Sequence, residues 1–144
     1  MIEKDTIRLL RECDAGVKMG VASINDVIDS IEDGRFRKRL SDCKIEHEEL
    51  NTKIQSLLDE YGDEGKDPNP VAKGMSWMKT NAKMAMDDSD STIADLMTDG
   101  CNMGVKSLSK YLNQYKAASE ETKDIAKKLI ACENTLTQDL RQFL

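Results

Sequence analysis

The chain has 144 residues and a formal net charge of −6, with 39% apolar residues, 33% charged residues, two prolines and eight glycines. This length suits one domain, 1–144, with its own core, and the composition suits amphipathic helices rather than a sheet buried on both faces. The acidic excess disfavours nucleic acid as a partner, no run reaches the roughly 20 apolar residues of a membrane span, and Met1-Ile2-Glu3-Lys4-Asp5 lacks a signal-peptide core, so a cytoplasmic, all-α protein is expected.

A first helix is expected over about 5–33. Ile7, Leu10, Val17, Val21, Ile24, Ile28 and Ile31 follow alternating steps of three and four, with position 14 completing the series. Asp14 stands there, and a carboxylate on an apolar seam is costly unless paired. Lys53 on the next helix is the expected partner, as a device fixing register. Gly34 predicts the stop, and the short turn Glu32-Asp33-Gly34 predicts an antiparallel neighbour. The second helix, about 35–61, carries Phe36, Leu40, Cys43, His47, Leu50, Ile54, Leu57 and Tyr61 on its seam, interrupted by His47 and ended by Gly62.

The connection 62–90 opens with a Gly- and Pro-rich loop. Val71, Met75, Met78, Ala82 and Met86 then fit a short amphipathic helix over about 71–86. Asp87-Asp88-Ser89-Asp90 reads as the start of the third long helix, about 91–116, because such side chains accept its orphan amide hydrogens. Its seam is Met97, Cys101, Gly104, Leu108, Tyr111 and Tyr115. Ser119, Glu120 and Glu121 begin the fourth, about 119–143, with Ile125, Leu129, Cys132, Leu136, Leu140 and Phe143 on the apolar face and Glu133 at its edge. The expected architecture is an antiparallel four-helix bundle: two helical hairpins joined by a long crossover that contains a short helix.

That order, with Asp14, His47 and Glu133 at or beside the seams, resembles the ferritin-like superfamily, in particular its small, uncharacterised bacterial members. The resemblance implies a Glu on two helices and Glu-x-x-His on the other two, around a di-iron centre. Here Lys44 stands three positions before His47, Leu136 three after Glu133, Asp14 near the first-helix acid and Cys101 near the third-helix acid. The broken motif argues against a ferroxidase or di-iron oxidase of the usual kind.

His47 and Cys43 stand one turn apart, and Cys101, Cys132 and Glu133 lie at a similar distance from their own hairpin turn. By counting, His47 faces about Gly20 and Glu133 faces about Met103. Cys-x-x-x-His on one helix face can share a single zinc or iron ion, so His47, Cys43, Glu133, Cys101 and Cys132 are the candidate ligands. The same residues also fit a plain core, with His47 neutral, the cysteines acting as small hydrophobes and Glu133 turned to solvent. Gly16, Gly20, Gly100 and Gly104 are costly inside helices, which predicts close helix approach first and room for a bulky residue or ligand second.

Met75, Met78, Met84 and Met86 are expected to pack the short helix onto the bundle, and Trp77, off that stripe, to touch a second copy in a homodimer. Arg35-Phe36-Arg37-Lys38-Arg39 reads as a solvated helix end. Without a phosphate loop, nucleophile triad or acid–base carboxylate pair, the leading expectation is a non-enzymatic interaction or structural protein. Two alternatives stay open: a metal-binding or redox protein using the His47 group, and small-molecule binding at the glycine-lined waist.

Overall fold

In the computed structural model, residues 2–68, 84 and 87–144 are described. They are all-helical, with no strand among them: α1 (Ile2–Val27), a 3-10 turn (Ile28–Ser30), α2 (Gly34–Glu60), α3 (Asp90–Gln114), α4 (Glu120–Leu140) and a final 3-10 turn (Arg141–Phe143). None of these helices is long and apolar enough to cross a membrane. The expected helix over 71–86, with Trp77 and three of its four methionines, lies outside the described residues. Met84 is described and packs against the core.

Side-chain caps set the helix starts. Asp33 accepts from the amides of Arg35 and Phe36, Ser89 from Thr92 and Ser119 from Thr122. The Asp90 carboxylate accepts from the amides of Glu32 and Asp33, both at 2.9 Å, and so fastens the first turn to the beginning of α3. Gly34 is not a stop. The α-helical geometry of α1 ends at Val27, and Gly34 is already the first residue of α2, because Asp33 supplies the cap. Gly62 does close α2, with φ of 65°, a value that L side chains rarely adopt.

The core falls into two clusters. One gathers Ile24, Val27, Ile31, Phe36, Leu40, Cys43, Ile93, Ala94, Met97, Cys101, Leu136 and Leu140. The other gathers Leu9, Leu10, Cys13, Val17, Ile54, Leu58, Leu108, Ala118, Ile125, Ala126 and Leu129. On each helix one stretch separates the two clusters, and those stretches contain Gly20, His47, Gly104 and Glu133. A polar layer therefore lies between two greasy ones.

Seam positions drift past that layer. Leu58 is buried where the strict repeat pointed to Leu57, and Tyr61 is exposed. A helix of 3.6 residues per turn rotates by about 20° per heptad relative to a 3.5-residue repeat, which turns Leu58 inward.

Asp14 is completely buried, but Lys53 is not its partner: Lys53 is exposed on α2. One carboxylate oxygen accepts from Asn51 Nδ2 (3.1 Å) and Gln55 Nε2 (2.7 Å), the other from Lys18 Nζ (3.0 Å) and the Lys66 amide (2.9 Å). Asn51 and Gln55 lie on the face of α2 toward α1, whereas position 53 is turned away. The basic run at the start of α2 is internally matched: Arg35 pairs with Asp33, Lys38 with Asp42 and Arg39 with Asp139, while Arg37 donates to the Ile31 carbonyl.

Candidate metal centre at the waist

Cys43 and His47 are one turn apart on α2, so both project from the same face. Cys132 reaches them from α4. The Cys43 Sγ lies 3.5 Å from His47 Nδ1 and 4.0 Å from Cys132 Sγ, and Cys132 Sγ lies 3.9 Å from the same nitrogen. Donor atoms of the three residues all fall within 4.8 Å of one another, with Cys43 and His47 buried and Cys132 half-buried.

The other two expected ligands are placed differently. Glu133 follows Cys132 and meets the opposite edge of the imidazole, its Oε1 4.0 Å from His47 Nε2. That is ion-pair range, too long for a hydrogen bond. Cys101 is buried in the neighbouring core cluster, close enough to feel the charges of Glu133 and Cys132, but it is not one of the three grouped donors.

Glu133 is neither at the edge nor turned to solvent; it is 9% exposed. It faces Gly104 rather than Met103, which points outward at 66% exposure. The glycines explain how these side chains fit. A Cβ on Gly104 would come within 2.4 Å of Glu133 Oε2, and one on Gly20 within 3.0 Å of the His47 ring. These two glycines make room for side chains of this chain, whereas nothing lies within 4 Å of a Cβ built on Gly16 or Gly100.

The electrostatics follow from burial. Burial pushes the Glu133 carboxyl up to about 7, with His47 pulling the other way. Its Oε2 is buried and has no hydrogen-bond partner among the described residues. Burial lowers the His47 pKa, but hydrogen bonding and charge from Cys132, the Cys43 carbonyl and the charge of Glu133 outweigh it, leaving a net rise. The Cys132 thiol is pushed well up by its hydrogen bond with Cys43, with burial adding to the effect, and burial lifts Cys101 to about 12.

One member of the group, Glu46, does not stand out from the sequence. Glu46 Oε2 accepts from the Cys132 thiol at 2.9 Å. Its position immediately before His47 and three residues after Cys43 was the available signal. His47 Nδ1 also lies 2.9 Å from the Cys43 carbonyl oxygen. When Nδ1 carries the ring proton it donates to that carbonyl; when Nε2 carries it, Nδ1 presents a lone pair toward the two sulfurs. Compared with protein-family models, curated proteins and solved structures, the chain matches none.

Proposed function

We propose that this chain binds a single borderline divalent cation, best matched by zinc, through Cys43, Cys132 and His47 Nδ1. The observation that carries this reading is the triangle of donor atoms, with sides of 3.5, 3.9 and 4.0 Å. A tetrahedral zinc ion, with bonds of about 2.3 Å to sulfur and about 2.0 Å to nitrogen, separates two sulfurs by roughly 3.8 Å and sulfur from nitrogen by roughly 3.5 Å. Sub-ångström shifts would convert the triangle into one face of that tetrahedron.

The remaining groups have roles consistent with that face. Glu46, already at the Cys132 sulfur, is the candidate for the fourth ligand. Glu133, 4.0 Å from Nε2, would need to close by about 1 Å to accept a hydrogen bond from Nε2–H once Nδ1 turns to the metal, a carboxylate–histidine–metal arrangement that fixes the tautomer. This use would also give its unpartnered carboxylate a reason to be buried. The raised Cys132 pKa makes the ion compete with a tightly held proton, which a coordinating thiol gives up, so binding releases protons and tightens as pH rises.

The scaffold proposed for this centre is an antiparallel four-helix bundle of ferritin-like connection. Its support is pairwise: Asp14 with Gln55 and Gly20 with His47 run in opposite senses along α1 and α2, as do Arg39 with Asp139 and Cys43 with Cys132 along α2 and α4. The competing reading, a non-enzymatic interaction or structural protein, has His47 and the cysteines as core alone.

Cobalt(II) titration of the chelated full chain separates the two. One ion per chain with a sulfur-to-cobalt charge-transfer band is expected, lost in Cys132→Ser and retained in Cys13→Ser, whose cysteine belongs to the other core cluster. No band in the wild type, or the same band in both variants, would remove the proposed centre.

A further inference from the structure

The two sulfurs at the waist support a second chemistry that needs no metal. Cys43 Sγ and Cys132 Sγ are in contact at 4.0 Å, on two different helices, and all four cysteines are free. Their access differs: Cys43 is 1% exposed, while Cys132 is half-buried. Cys13 sits in the other core cluster, and Cys101, buried beside the waist, is in no sulfur–sulfur contact among the described residues.

We infer that Cys132 and Cys43 form a peroxide-reactive dithiol, Cys132 meeting the oxidant and Cys43 closing a disulfide that ties α2 to α4. Cys132, as thiolate, attacks a hydroperoxide; its sulfur bonds to the terminal oxygen, the O–O bond breaks, and an alcohol or water leaves carrying the proton. Cys132 is then a sulfenic acid. The Cys43 sulfur attacks it, the S–O bond breaks, the S–S bond forms, and hydroxide departs as water with the Cys43 proton. Two thiols are oxidised by two electrons, and the peroxide accepts both.

The neighbouring groups serve these steps. Glu46, bonded to the Cys132 thiol, and His47 Nδ1, 3.5 Å from Cys43 and 3.9 Å from Cys132, are the nearby proton acceptors. A disulfide needs the sulfurs at about 2.05 Å, so each must move by about 1 Å.

The test uses the full chain, stripped of metal with a chelator and treated with hydrogen peroxide. Two of the four thiols should disappear, with Cys43 and Cys132 recovered in one cross-linked peptide from monomeric protein. Cys43→Ser should yield no disulfide and should accumulate oxygen on Cys132, while Cys101→Ser and Cys13→Ser should still cross-link as the wild type does. A cross-link through Cys101 or Cys13, or four surviving thiols under conditions that oxidise a small dithiol, would overturn the inference. Because the protein is metal-free throughout, failure of the zinc reading leaves this outcome untouched, and failure here leaves the cobalt titration standing.

Discussion

Among the described residues two carboxylates, Asp14 and Glu133, are buried, and their surroundings are opposite. Asp14 accepts four hydrogen bonds, two on each oxygen, from α1, α2 and the segment after α2. Glu133 approaches His47 at 4.0 Å through one oxygen and has no partner on the other among the described residues. Both are accommodated by a glycine: a Cβ on Gly65 would come within 2.3 Å of Asp14, much as one on Gly104 would meet Glu133. The means of making room is shared, but only Asp14 is satisfied once the chain has folded. A fully bonded buried charge fixes register, whereas an unsatisfied one is tolerated where something else is gained, as is common at sites that bind or react.

The comparison breaks most readily at Asp14. Asp14→Ala should destabilise the fold by about 3–5 kcal/mol, the range for removing one partner of a buried ionic network. Lys18 can turn to Asp67, which it already contacts at 3.2 Å, but the amides of Asn51, Gln55 and Lys66 lose their acceptor. Asp14→Asn should recover less than half of that loss, since its amide nitrogen would confront a donor whichever way it turns. Urea denaturation measures both; a loss below about 1 kcal/mol for the alanine variant would show that this network does not hold the register.

Glu133 should behave in the reverse sense, and with pH. Its folded-state pKa of about 7 lies above the ordinary value of 4.5, so between those values the folded protein holds a proton that the unfolded chain has released. Stability must then fall as pH rises through that window and level off above it. His47, raised in the fold, adds a further fall as it loses its proton at higher pH. In metal-free protein, Glu133→Gln should match the wild type below about pH 4.5 and exceed its stability by about 1–3 kcal/mol above pH 7; the ceiling follows from about 1.4 kcal/mol per pKa unit, less the cost of housing the amide. A difference that does not vary with pH would mean that the carboxylate is not held protonated by burial.

Periodicity was enough to announce the four long helices, the interruption at Asp14 and an inward His47 opposite Gly20, because each of those depends on local spacing and on counting from a nearby turn. Glu133 was harder. It neighbours the seam residue Cys132, and the rotation of a real helix against a strict repeat decides which of two adjacent residues is deeper, a matter of less than a third of a turn. The partners of Asp14 were illegible for a related reason: a lysine looked like the electrostatic match, but Asn51 and Gln55 occupy the facing positions and a backbone amide from the following loop completes the set. Glu46 joins Cys132 across two helices, a pairing that no spacing within either helix encodes.

The smallest effect sharpens the comparison most. Gly104→Ala adds a Cβ 2.4 Å from Glu133 Oε2, closer than real contacts allow, so something must move. What it meets is the end of a flexible side chain with no hydrogen bond on that oxygen to hold it, so the carboxylate can swing toward solvent. Helix propensity favours alanine over glycine by up to about 1 kcal/mol. The net change should therefore stay within about 1 kcal/mol of the wild type at pH 5 and become stabilising near pH 8, where the displaced carboxylate ionises without a burial cost. Two-dimensional NMR of the glutamate carboxyl should follow its pKa back toward 4.5, the ordinary value. If the alanine variant instead kept a carboxyl titrating near 7, or lost several kcal/mol at both pH values, Glu133 would be pinned in place as firmly as Asp14, and the contrast between the two carboxylates would fail.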